Sequence, residues 1–117
     1  MLRAKRSSFG VLARIRGLPE RADELRRRLY ELVSLTRRED GCLSCEMIEN
    51  GSDSTEFTLL EEWLNEKAHD AHFGTGPIQN AMKAVHRLLS RELDSRKHLL
   101  RANSVRYGAN SYCLAVG

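Results

Sequence analysis

Glu56-Phe-Thr-Leu-Leu-Glu-Glu-Trp63, continuing as Leu64-Asn-Glu-Lys-Ala-His-Asp-Ala-His-Phe73, reads as a strand that runs directly into a short helix. From Glu56 to Trp63 the bulky side chains alternate. Phe57, Leu59, Glu61 and Trp63 share one face, and Thr58, Leu60 and Glu62 the other, the period-two signature of a strand. After Trp63, the only tryptophan in the chain, the pattern changes. Asn65 suits a helix N-cap and Glu66 places an acid in the first turn. His72 falls about one helical turn beyond Ala68 and His69, so Trp63 and the histidines converge at the strand-to-helix corner. That corner is the candidate site.

Upstream of this corner, Asp40-Gly41 breaks a helix and opens a strand from Cys42 to Glu49, in which Leu43, Cys45 and Met47 share a face. The polar cluster Asn50-Gly51-Ser52-Asp53-Ser54 joins this strand to the next as an antiparallel hairpin. Nearer the N-terminus, Ser8 to Arg16 predicts a first strand, ended by Gly17-Leu18-Pro19. Proline fits the first turn of a helix, and Glu20, Asp23 and Glu24 complement its positive end. That helix is expected to reach about Arg38, with Ala22, Leu25, Leu29, Leu32, Val33 and Thr36 as its buried stripe.

Downstream of the corner, Gly74-Thr75-Gly76-Pro77 interrupts the pattern. A further helix is expected from Ile78 to Glu92, burying Ile78, Met82, Val85 and Leu89, followed by a last strand from Ser95 to Tyr107. The segment Gly108 to Gly117 is open between an edge strand and a loose tail. The order βαββαβ specifies an α+β, ferredoxin-like antiparallel sheet with its helices on one face. The other face needs a cover. With Leu43, Cys45, Met47, Phe57, Leu59 and Trp63 on strand faces, a second copy is the economical one, making a homodimer.

At 117 residues the chain is expected to be one domain, residues 1–117, of a size at which association helps to bury surface. Hydrophobic content of 41% with 30% charged residues is that of a soluble globular protein, and no run is long enough to span a bilayer. The basic start, Met-Leu-Arg-Ala-Lys-Arg, lacks an apolar stretch behind it, so a cytoplasmic location is expected. The net charge of +3 derives from arginines interleaved with acids, as at Arg26 to Arg28 beside Asp23, Glu24 and Glu31. That is a solvated helix surface rather than a nucleic-acid footprint. Three cysteines, Cys42, Cys45 and Cys113, fit a reducing compartment. Cys42 and Cys45, three apart on a strand, are expected to face opposite ways and so not to share a metal ion.

The run Asp40-Gly41-Cys42-Leu43-Ser44-Cys45-Glu46, the polar turn, Phe57-Thr58-Leu59-Leu60-Glu61-Glu62-Trp63, then Glu66-Lys67-Ala68 and His72 resembles the antibiotic biosynthesis monooxygenase domain, a family of dimeric α+β barrels. The resemblance covers roughly residues 8–106. It implies a ferredoxin-like fold, a homodimer formed sheet against sheet, and a small ligand pocket between sheet and helices. Such proteins include cofactor-free oxygenases of anthrones and quinols, haem-degrading enzymes and an isomerase of a phosphorylated signalling sugar. The departures narrow the choice. Haem-degrading relatives carry an Asn on the first strand, and Phe9 to Arg16 contains none. Anthrone-oxidising relatives have an Asn and a Tyr where this chain has Leu59 and His69. The second histidine of quinol-oxidising and isomerase relatives is replaced by Gly74-Thr75-Gly76-Pro77.

The function expected from these residues is a cofactor-independent monooxygenase of a small aromatic or quinol-type substrate, using dioxygen and no metal. His72 is the expected catalytic base, since an imidazole titrates near neutral pH. Trp63, Leu59 and Phe57 are expected to contact the ring, and His69, expected to be exposed in its plainer reading, to orient the substrate. Arg14 or Arg16 would hold an oxyanion if one points inward; in their plainer reading both lie on one solvent-facing side of the first strand. Two other classes stand beside this one: a non-catalytic ligand-binding barrel, and an isomerase that moves a proton on a phosphorylated carbonyl compound. Glu61 and Glu62 point to opposite faces and make no carboxylate pair.

Overall fold

The computed structural model describes residues 6–102. Four antiparallel strands form one sheet in the order β2-β3-β1-β4, with β1 at Arg6–Arg16, β2 at Cys42–Glu49, β3 at Glu56–Trp63 and β4 at Asp94–Ala102. Helices α1 at Ala22–Thr36, α2 at Glu66–His72 and α3 at Gly76–His86 complete the ferredoxin-like arrangement. The tail from Gly108 lies outside the described residues, as does the end of the expected last strand.

The central pair β1 and β3 sets the two faces. Their register places Phe9 opposite Trp63, Val11 opposite Glu61, Ala13 opposite Leu59 and Ile15 opposite Phe57. Phe9, Val11, Ala13, Ile15, Phe57, Leu59 and Trp63 are all buried, because the helices pack on this face. All six residues of the α1 stripe, Ala22, Leu25, Leu29, Leu32, Val33 and Thr36, are buried as well. With Ile78, Val85 and Leu88 they close the main core, while Phe9, Val11 and Trp63 form a smaller cluster at the α2 end.

Several boundaries differ from expectation for identifiable reasons. Pro19–Arg21 forms a 3-10 turn before α1 begins. The second long helix stops at His86 rather than Glu92, since Leu89 is drawn into a bridge with Gly17 and the Ser90 N–H donates to the Arg16 carbonyl at 2.9 Å. A bulge between Cys42 and Ser44 changes the facing of β2. It sets Cys42 opposite Trp63 and Cys45 opposite Glu61, so the two thiols share the helix-facing side instead of pointing apart, and Leu43 is left exposed. Burial, reinforced by Glu61, pushes the Cys45 thiol up to about 12 and raises Cys42 also. Both sulfurs are therefore protonated at neutral pH, which opposes thiolate chemistry.

The uncovered face of the sheet is also not the one expected. Cys45, Phe57, Leu59 and Trp63 are used by the protein's own helices. The open side instead presents Leu12, Ile48, Leu60 and Leu100 among Arg14, Glu46, Glu62 and His98.

The turn before β2 depends on Gly41, whose φ of +84° favours glycine and whose added Cβ would lie 2.6 Å from the Ala68 Cβ. Gly41→Ala is expected to cost about 1–3 kcal/mol, seen as a lower urea midpoint with an unchanged slope.

Candidate functional site

The site grows from the end of β3. The Leu64 N–H donates to the Gly41 carbonyl at 2.7 Å, tying the corner to the start of β2. Asn65 is extended, and its side-chain oxygen accepts from the Ala68 N–H at 2.8 Å, the N-cap contact that starts α2. Close approach of Ala68 to Gly41 then presses α2 onto the sheet, and the three-residue spacing puts His69 and His72 on its inner side. They are only 1% and 3% exposed. His69, expected at the surface, is one of the most buried residues of the protein.

An aromatic cage surrounds them. The Trp63 ring centroid is 4.8 Å from that of His72 and 5.8 Å from that of His69; Phe9 lies 5.3 Å from His69 and Phe73 lies 5.1 Å from His72. Hydrogen bonding is incomplete within it. His69 Nδ1 meets Asp70 at 3.2 Å, but its Nε2 is buried without a partner. His72 Nδ1 is likewise unpartnered, with the Glu39 carboxylate 3.9 Å away. Buried polar atoms in this state are rare in folded proteins and are expected at sites that exchange protons or ligands.

Beside His72 lies an internal cavity of about 60 Å3 between the sheet and the helices. Val11, Ala13, Ile15 and Leu59 wall it from the sheet, Leu32 and Thr36 from α1, and Met82 and Val85 from α3. Its polar groups are His72, Glu61, Thr36 and Ser95. The Trp63 indole N–H donates to Glu61 Oε1 at 2.8 Å. Burial lowers the proton affinity of His72, an effect partly offset by Glu39. It raises that of Glu61, against the Trp63 hydrogen bond and His69. An uncharged imidazole and a carboxyl of enhanced basicity thus face one apolar space.

Of the residues expected at the site, the structure brings His72 and Leu59 to the cavity wall. Trp63 stands behind it, packed on His72 and donating to Glu61, and His69 packs in turn on Trp63. Phe57 belongs to the main core, under the Arg26 guanidinium 5.7 Å from its ring centroid. Arg14 does not point inward: it is exposed on the opposite side of the sheet, where strand alternation places every even-numbered β1 residue. Glu61 was not among the expected site residues. Its signal was present, as the one acid in the otherwise apolar alternation Phe57, Leu59, Glu61, Trp63.

The profile of the antibiotic biosynthesis monooxygenase family matches residues 8–84, more than half of the chain and all of this corner. The chain belongs to that family. A Mycobacterium tuberculosis protein provisionally named a monooxygenase is 34% identical over 85 residues, covering 73% of this chain and 83% of its own length. A solved structure from the same organism has a TM-score of 0.76 at 28% identity, over 84% of this chain and 99% of that one. A Nitrosomonas europaea structure provisionally assigned to antibiotic biosynthesis monooxygenases matches at a TM-score of 0.74 and 14% identity, over 77% and 95% of the two chains, a likeness of fold. Among the described residues of this family member, no helix is long and apolar enough to cross a membrane.

The lowered proton affinity of His72 has a consequence for stability. In the unfolded chain the imidazole has its ordinary value near 6.5, so as pH falls below that the unfolded state takes up the proton first. The stability associated with neutral His72 is therefore complete above about pH 6.5 and is lost as pH falls through its lower folded value. Chemical denaturation of the protein and of His72→Gln across this range is expected to show the steeper decline in the wild type, with the His72 ring titrating by NMR below an ordinary histidine.

Proposed function

We propose that this single-domain protein is a cofactor-independent monooxygenase that oxidises a small aromatic or quinol-type substrate with dioxygen in the cytoplasm, with His72 as general base. The observation that carries the reading is the buried imidazole of His72, uncharged and incompletely hydrogen-bonded on the wall of an apolar cavity. The family supports a monooxygenase-like activity; the substrate class and residue roles are our reading of the site.

The chemistry requires little from the protein. A neutral imidazole accepts the hydroxyl proton of the substrate, and the resulting electron-rich anion passes one electron to dioxygen. The radical pair combines at carbon to give a peroxide. The substrate anion is itself the electron source, so the reaction asks for no bound redox group. Apolar walls keep water from the anion and the peroxide. Trp63, at 4.8 Å from His72, fixes the plane of the base. The volume of about 60 Å3 is less than the roughly 150 Å3 that holds a benzene ring, so a single ring enters only as Met82, the adaptable wall, moves aside.

The isomerase reading loses its phosphate site, because the cavity walls contain no Arg or Lys and Arg14 lies across the sheet. Oxygen uptake should be measured with a panel of hydroquinones and anthrone-like phenols against a protein-free control. His72→Ala is expected to reduce the protein-dependent rate about 100-fold or more, with the far-ultraviolet circular dichroism unchanged. Equal uptake by the variant, or none above autoxidation, would overturn the proposal.

We further propose a homodimer formed through the open sheet face, which exposes Ile48 and Leu100 and carries Leu12 and Leu60 at its centre. Light scattering is expected to give twice the chain mass, falling to one chain in Leu60→Arg.

A further inference from the structure

Glu61 lines the same cavity as His72 and has no part in the proton abstraction just described. Strand alternation turns it towards the helices between Leu59 and Trp63. The indole N–H holds its Oε1 at 2.8 Å, while Oε2 accepts no hydrogen bond among the described residues. Around it stand the Cys42 and Cys45 thiols on β2 and His69 and His72 on α2, with Glu39 beyond His72; β1 presents Val11 opposite it. Both thiols are protonated, which leaves Glu61 and the imidazoles as the groups able to take a proton here.

We propose that Glu61 is the second catalytic base of this cavity, removing the carbon-bound proton from the oxygenated intermediate of a single-ring hydroquinone while His72 handles the hydroxyl proton. This rests on the oxygenase reading above. His72 takes a hydroxyl proton, and the ring carbon next to that oxygen combines with dioxygen through the radical pair. His72 returns its proton to the outer peroxide oxygen, giving a hydroperoxide on a carbon that still bears hydrogen. Glu61 removes that hydrogen as a proton. The C–H electron pair becomes the new C=O bond, the O–O pair leaves with hydroxide, and hydroxide takes the proton from Glu61. Hydroquinone and dioxygen thus leave as hydroxyquinone and one water, with both bases restored. Burial suits the carboxylate to the task, since it makes Glu61 more basic than an exposed glutamate.

Without the second base the hydroperoxide has another exit. Expulsion of hydroperoxide anion, with loss of the remaining hydroxyl proton, yields para-quinone and hydrogen peroxide. Glu61→Gln keeps the shape and the acceptor for Trp63 but cannot take the proton. With hydroquinone as the probe, this variant is expected to keep consuming dioxygen while the ratio of hydroxyquinone to hydrogen peroxide falls at least tenfold. Glu61→Asp, its carboxylate drawn back by one methylene, is expected to fall between the two, and serves also if the Gln variant is poorly folded by circular dichroism. The same product ratio in wild type, Asp and Gln proteins, with uptake still dependent on His72, would overturn the role of Glu61 and leave the oxygenase reading standing. No uptake by the wild type above autoxidation would overturn both.

Discussion

A carboxylate placed between Leu59 and Trp63 on a central strand has only one direction to take. The two-residue period that buries those neighbours under the helices turns Glu61 the same way and partly buries it. Desolvation of a carboxylate is costly, and a single indole hydrogen bond at 2.8 Å offsets only part of that cost. The fold therefore keeps a basic group where an apolar one would pack with less strain. The same strand face supplies the cavity wall at Leu59 and the aromatic plate at Trp63. Most of the candidate site hangs on the register of β3 against β1.

The second requirement is a sharp corner. Trp63 has to remain in the sheet while His69 and His72, only a few residues on, fold back over it. Gly41 makes this possible from outside the strand, by accepting the Leu64 N–H and by leaving room for Ala68 where a side chain would stand. Asn65 completes the turn by capping α2. Seven residues are too few for a helix to persist by its own propensity. Packing of the two imidazoles and Phe73 against Trp63 and Phe9 holds it in place. The histidines fill space between α2 and the sheet, and each keeps one buried ring nitrogen without a hydrogen-bond partner among the described residues.

Much of this was legible in the sequence. The alternation from Phe57 to Trp63, the six-residue stripe of α1 and the Asn65 cap are local patterns, and local patterns survive folding. What failed was information carried by other parts of the chain. The bulge at Cys42 and Ser44 inverted the expected facing of the thiols, and no spacing rule reveals a bulge. α3 stopped short of Glu92 because Leu89 and Ser90 bond back to the sheet at Gly17 and Arg16, a tertiary contact. Arg14 is exposed, as its plainer reading had it, because strict alternation from Ala13 and Ile15 turns it away from the core. His69 was named for the site but its burial was not expected: on a seven-residue helix, which three-residue pair faces inward depends on what the sheet offers beneath.

His72 and Glu61 are displaced in opposite senses by one environment. Burial makes the cation harder to form on the imidazole and the anion harder to form on the carboxyl. A histidine of lowered and a carboxyl of raised proton affinity approach each other in strength, which is the condition for passing protons back and forth at little energetic cost. Two groups shifted towards each other around an apolar cavity fit the proposed reaction, in which one proton must leave oxygen and another must leave carbon. Exposing either group to water would restore its ordinary strength and separate the pair. For that reason the small apolar volume beside α2 matters to the proposed chemistry as much as the side chains that line it.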